Sequence, residues 1–115
     1  MPAIEQQQQV TVIVLDAEYD SLDEPSVERC AATLLDQAAK ITPPLLVLDF
    51  GNTKFLGSRF IEVVVRVWKR ICERQGQMVL CNLDPFCAEV LERTNLNRLW
   101  KFYPTRKSAV ESLST

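Results

Sequence analysis

The stretch LLVLDFGNTKFLGSRFIEVVVRVWKR, residues 45–70, holds one complete handover from strand to helix and so decides the fold class. Leu45 to Phe50 form a short, unbroken apolar run, the pattern of a strand covered on both faces. A turn follows, with Gly51 and Gly57 near its ends. From Ser58 the apolar residues return at steps of three and four. Phe60, Ile61, Val64, Trp68 and Ile71 make a core stripe, and Glu62, Arg66, Lys69, Arg70 and Glu73 take the wet side. Val63 and Val67 widen the apolar side, so Phe60 and Val63 admit two readings: a broad core face, or a patch protruding beside the turn. Ser58 is the expected N-cap of this helix and Gly76 its expected left-handed terminus. Arg59 is the oddity. The first turn of a helix carries partial positive charge and unpaired N–H donors, which favour an anion over a cation.

The alternation continues on both sides. Residues 1–9 are a flexible lead-in or a short edge strand, and Val10 to Tyr19 read as a buried strand. Asp23 and Pro25 open a helix whose stripe is Val27, Cys30, Ala31, Leu34, Leu35, Ala38 and Ile41, stopped by Pro43 and Pro44. Met78 to Leu83 give a third strand. Asp84 and Pro85 then cap a helix with Phe86, Cys87, Val90 and Leu91 inward, ended by a left-handed Asn95. Trp100 to Tyr103 form a last strand and residues 106–113 a last helix. Strands separated by helical crossovers imply a single α/β domain over residues 10–115: a sheet of four to five strands, mostly parallel, with about four helices packed on it.

Composition narrows the chemistry. Hydrophobic residues make up 47% and charged residues 24%, an ordinary globular balance, and the net charge of −2 argues against nucleic-acid binding. There is no histidine, the commonest general base and transition-metal ligand, so no catalytic residue, metal or cofactor is expected. Cys30, Cys72, Cys81 and Cys87 form no CxxC pair and lie among apolar residues, as small hydrophobes in a reducing cytoplasm would. The N-terminus lacks the features of a signal peptide, and no apolar run approaches the roughly 20 residues that span a bilayer. A cytoplasmic protein without membrane insertion is expected. GNTKFLGSR (51–59) lacks the GK[ST] of a phosphate loop, and Ser58 has no base to make it a nucleophile. Asp20 and Asp49 each end a strand on the carboxyl edge, where α/β sheets assemble sites; either joins a site or caps its loop by accepting backbone N–H bonds.

From about Val10 to Leu113 the chain resembles the STAS domain family, of the bacterial anti-sigma factor antagonist type, also found in sulfate transporter tails. The most specific portions are the central stretch, ERQGQMVLCNLDP (73–85) and VLERTNLNRLWKFYPTRKSAVESL (90–113). The family shows a strand ending in Asp-Leu-Ser, then Phe-Ile-Asp-Ser-Ser/Thr-Gly leading into a helix, and later a helix ending in Thr-Gly-Leu. Asp49-Phe50-Gly51 is similar to the first, Phe55-Leu56-Gly57-Ser58-Arg59-Phe60 to the second and Thr94-Asn95-Leu96 to the last.

The resemblance implies a non-enzymatic regulator that binds an anti-sigma factor, itself a serine kinase, and so releases the sigma factor. Phosphorylation of the second residue of the Ser-Ser/Thr pair prevents that binding. Carried over by residue, the family's aspartate is Gly57, its first serine Ser58, its phospho-acceptor Arg59 and its glycine Phe60, while Asp20 matches the aspartate after the first core strand. Arg59 takes no phosphate from a serine kinase and carries the opposite charge. The implied docking region is residues 53–63, with Asp20, Thr53, Lys54, Leu56, Gly57, Ser58, Arg59, Phe60 and Val63 as contacts, Arg59 facing a carboxylate of the partner. Two alternatives stay open. One is a STAS scaffold or accessory subunit of a regulatory or transport assembly, among other STAS-containing regulators; the other is a phosphorylation switch moved to Ser58 or Thr53. Weak homodimerisation also stays open.

Overall fold

The computed structural model describes residues 3–7, 9–15, 24–51 and 58–114. In chain order the elements are β1 (Ala3–Gln7), β2 (Val10–Val14), α1 (Glu24–Lys40), β3 (Leu45–Asp49), α2 (Ser58–Glu73), β4 (Gln77–Cys81), α3 (Pro85–Arg93), a 3-10 turn (Leu96–Arg98), β5 (Lys101–Tyr103) and α4 (Arg106–Ser114). The strands form one five-stranded sheet in chain order. β1 runs antiparallel to β2, with Glu5 opposite Val12, while β2 to β5 are mutually parallel, Val12 facing Val47 and Val47 facing Val79.

This order explains the layering. A crossover between neighbouring parallel strands is right-handed, so a sheet laid down strand by strand sends each crossover helix to the same side. α1, α2 and α3 accordingly share one face, in a core with Ile13, Leu15, Leu46, Leu48, Phe50, Met78 and Leu80. α4 follows the last strand and takes the other face, where Ala109, Val110 and Leu113 cover Val10, Val12, Val47, Val79 and Cys81. β3 is therefore buried on both sides, which is why its sequence shows no alternation.

The caps of α3 follow the sequence expectation. Asp84 accepts a hydrogen bond from the Phe86 N–H at 2.8 Å with Pro85 in the first turn, and Asn95 stands at φ 61°. Other positions depart from it. β2 ends at Val14 rather than Tyr19, with residues 16–23 outside the described ones. The lead-in forms β1, the short edge strand that the sequence allowed there, and its exposed Glu5 and Gln6 suit an edge that must not recruit another chain. Phe86 is 50% exposed, because it sits one residue past Pro85, before α3 has turned its apolar side onto Cys87 and Leu91. Cys30, Cys81 and Cys87 are buried as expected, but Cys72 is exposed, three residues beyond Lys69 on the wet side of α2.

The end of α2 also differs. Gln75, not Gly76, is the left-handed residue, at φ 60°. The Gln75 N–H donates to the Cys72 carbonyl at 2.9 Å and the Gly76 N–H to the Ile71 carbonyl at 3.0 Å. Those paired bonds make a Schellman ending with glutamine where glycine is usual. Glycine is required one residue later for space. A Cβ on Gly76 would lie 2.1 Å from the Pro44 carbonyl oxygen and 2.9 Å from Ile71 Cγ2.

Candidate docking site at the carboxyl edge of the sheet

Because β2 to β5 are parallel, their carboxyl ends share one edge, and α2, α3 and α4 all start from it. Asp49 ends β3 there and is only 2% exposed. Its Oδ1 accepts from the Gly51 N–H at 2.8 Å and from Asn82 Nδ2 at 3.0 Å, and its Oδ2 accepts from Arg106 Nε at 2.9 Å. The Gly51 bond is the loop cap that the sequence allowed for Asp49. Asn82, just past β4, takes a left-handed conformation at φ 57° and donates its N–H to the Tyr103 carbonyl at 3.2 Å.

Arg106 is a second cation in the first turn of a helix. It is matched by acidic side chains from other elements: Asp49, and Glu5 of β1, whose Oε2 accepts from Arg106 Nη1 at 2.5 Å. The hydrogen bond to Asp49 raises the affinity of this guanidinium for its proton above the ordinary value, against a smaller opposing effect of burial. Beside the pair, burial and then the Asp49 charge push the Cys81 thiol up to about 12, with Arg106 pulling weakly the other way. Cys81 is neutral at physiological pH and no nucleophile.

Arg59 resolves its own anomaly in the same manner. Its Nη2 donates to Oε1 of Glu28 on α1, so an acidic side chain from the neighbouring helix offsets the unfavourable helix end. The two side chains are 55% and 58% exposed. An ion pair in such a place contributes about 0.2–1 kcal/mol, weak enough to be exchanged for another carboxylate.

Phe60 and Val63 correct one of the two readings open to them. They are 2% and 5% exposed and lie in the main core with Val64, Val67 and Ile71. The protruding patch does not form, because α1 packs along α2 and covers the flank of the stripe that periodicity alone left open. The role left to Phe60 and Val63 is support: they hold the first turn of α2, and hence Arg59, in place. Asp20, Thr53, Lys54, Leu56 and Gly57 lie outside the described residues, as does the Ser58 side chain. Glu28, Asn82, Glu5 and Arg106 were missed from sequence. Arg106 alone carried a usable signal, the same wrong-sign position that singled out Arg59.

Among the described residues no three or more Cys, Asp or Glu side chains gather as metal ligands, and no helix is long and apolar enough to cross a membrane. The family model of the STAS domain matches residues 1–109. The chain belongs to the STAS domain family. This STAS domain is similar over 99% of its length to 98% of a solved anti-sigma-factor antagonist domain protein from Planctomyces limnophilus, at 36% identity and a TM-score of 0.90. Over 70 residues it is 31% identical to BtrV of Bordetella bronchiseptica, which is named as an anti-sigma factor antagonist. That alignment spans 61% of this chain and 60% of BtrV. The anti-sigma factor antagonist SpoIIAA of Bacillus, in its unphosphorylated form, shares the fold at a TM-score of 0.78 and 18% identity, over 97% of this chain and 95% of that one. The domain is thus an anti-sigma factor antagonist-like STAS domain.

Proposed function

We propose that this STAS domain captures an anti-sigma factor of the serine-kinase type through residues 53–63, and that it does so without the usual phosphorylation switch. The observation that carries the reading is the exposed Arg59–Glu28 pair at the start of α2. At this position the family's phospho-acceptor would, once phosphorylated, bring nearly two negative charges up to Glu28. Arginine makes the same contact attractive, so the docking edge stays in one electrostatic state. A guanidinium offers five N–H donors, and a partner carboxylate is free to replace Glu28 or to share the guanidinium with it.

The test is a charge exchange. Arg59→Glu is expected to abolish capture of a kinase-type anti-sigma factor, measured by pull-down with the purified partner. Glu28→Arg combined with Arg59→Glu restores the bridge between α1 and α2 with its ends reversed, and is expected to keep the thermal midpoint while still failing to capture. Unchanged affinity in either variant overturns the docking assignment.

A further inference from the structure

We infer that the Asp49–Arg106 ion pair is a latch: through it, the seating of α4 on the sheet controls the Gly51 bond that closes the end of β3. The latch would regulate the same edge that the docking reading uses, but its evidence and its test involve no partner.

Asp49 has both oxygens committed, and they face different parts of the fold. Oδ1 shapes the chain leaving β3 through Gly51 and ties it to Asn82 at the end of β4, while Oδ2 reaches α4 through Arg106. The two oxygens belong to one rigid carboxylate. A displacement of the guanidinium that Oδ2 follows is therefore carried to Oδ1 and to its bond from the Gly51 N–H. The Asp49 side chain is 3% exposed, so a carboxylate that lost Arg106 would keep only neutral donors, and moving towards water would again release Gly51.

α4 is placed to work this latch because Ala109, Val110 and Leu113 seat it on the second face of the sheet while its first residue reaches the carboxyl edge. There Arg106 grips Asp49 and extends a second arm to Glu5 on β1. Edge strand, second-face helix and Gly51 are thus joined through one guanidinium and the Asp49 carboxylate. A merely static buttress would stiffen its surroundings without carrying a signal. A latch makes the Gly51 turn respond to a disturbance applied at the far end of α4.

The experiment reads amide hydrogen exchange by NMR in four full-length proteins: the native chain, Leu113→Ala, Asp49→Asn with Arg106→Met, and all three substitutions together. Leu113 lies two helical turns from Arg106 and touches neither residue of the pair by hydrogen bond or charge. In the native background Leu113→Ala is expected to speed exchange at Gly51 at least tenfold relative to Leu48 in central β3. With the pair removed, the same substitution is expected to change Gly51 less than twofold, because the asparagine keeps the Gly51 bond while α4 no longer pulls on it. An unchanged Gly51 in Leu113→Ala overturns the latch, and so does equal acceleration with and without the pair. Should Leu113→Ala fail to fold, Val110→Ala is read by the same criteria.

Discussion

Gly76→Ala tests the packing that joins the end of α2 to β3. The added methyl would meet the Pro44 carbonyl oxygen at 2.1 Å, Pro44 Cβ at 2.7 Å and Ile71 Cγ2 at 2.9 Å. The first of these is more than 1 Å inside the ~3.5 Å optimum for non-bonded heavy atoms. The Pro44 oxygen cannot simply move aside, because it accepts from the Gln77 N–H at 3.0 Å, nor can Gly76, whose N–H holds the Ile71 carbonyl at 3.0 Å. Relief costs one of those hydrogen bonds, about 1 kcal/mol, together with an overpacking strain of about 1–3 kcal/mol. The sum is about 2–4 kcal/mol, or about 8–16 °C in Tm for a domain of this size. Urea and thermal unfolding followed by circular dichroism and by fluorescence would measure it; Trp68 and Trp100, edge-to-face with centroids 6.3 Å apart, report on α2 and on the approach to β5. Gln75→Gly is the control. It removes a left-handed side chain worth roughly 1 kcal/mol of strain and is expected to leave stability level or slightly raised. A Gly76→Ala loss below about 2 °C, or a larger loss in Gln75→Gly, would refute the steric account.

Two cysteine predictions follow from burial. In the unfolded chain the Cys81 thiol titrates near 9.0, but in the folded chain near 12, so across that window only the unfolded chain gives up the proton. Stability is then fully present below pH 9.0 and falls as the pH rises towards 12; Cys81→Ala should flatten that decline in chemical unfolding measured at stepped pH, and an identical slope would contradict the assignment. With a small thiol reagent under native conditions, Cys72 should label quickly while Cys30, Cys81 and Cys87 label only after unfolding, as intact mass would show; rapid labelling of Cys81 would contradict its burial.

The legible parts of the fold were those encoded locally. The unbroken run Leu45–Phe50 announced a strand covered on both faces, and Asp84-Pro85 carried its own cap and first turn. What failed depended on chain segments far away in sequence. Gly76 is glycine because Pro44 approaches it, and no local signal distinguishes that from a left-handed cap. Phe60 and Val63 showed a wide apolar side, but only the position of α1 decides whether that width is core or surface. Glu28 stands 31 residues from Arg59, and Asp49 stands 57 from Arg106, so neither pairing has a period to betray it. The charge rule for helix ends did expose Arg59, and applied evenly it would have exposed Arg106 too.

Capture of a kinase-type anti-sigma factor by an edge that phosphorylation does not switch off is open to direct measurement. A calorimetric titration of that partner with this STAS domain, before and after incubation of the two with ATP and magnesium and with the intact mass read in parallel, meets it directly. The expected result is a saturable complex, the same affinity in both arms and no added phosphate. Absence of a complex would contradict it, and so would a phosphate gained at Ser58 or Thr53 together with loss of binding.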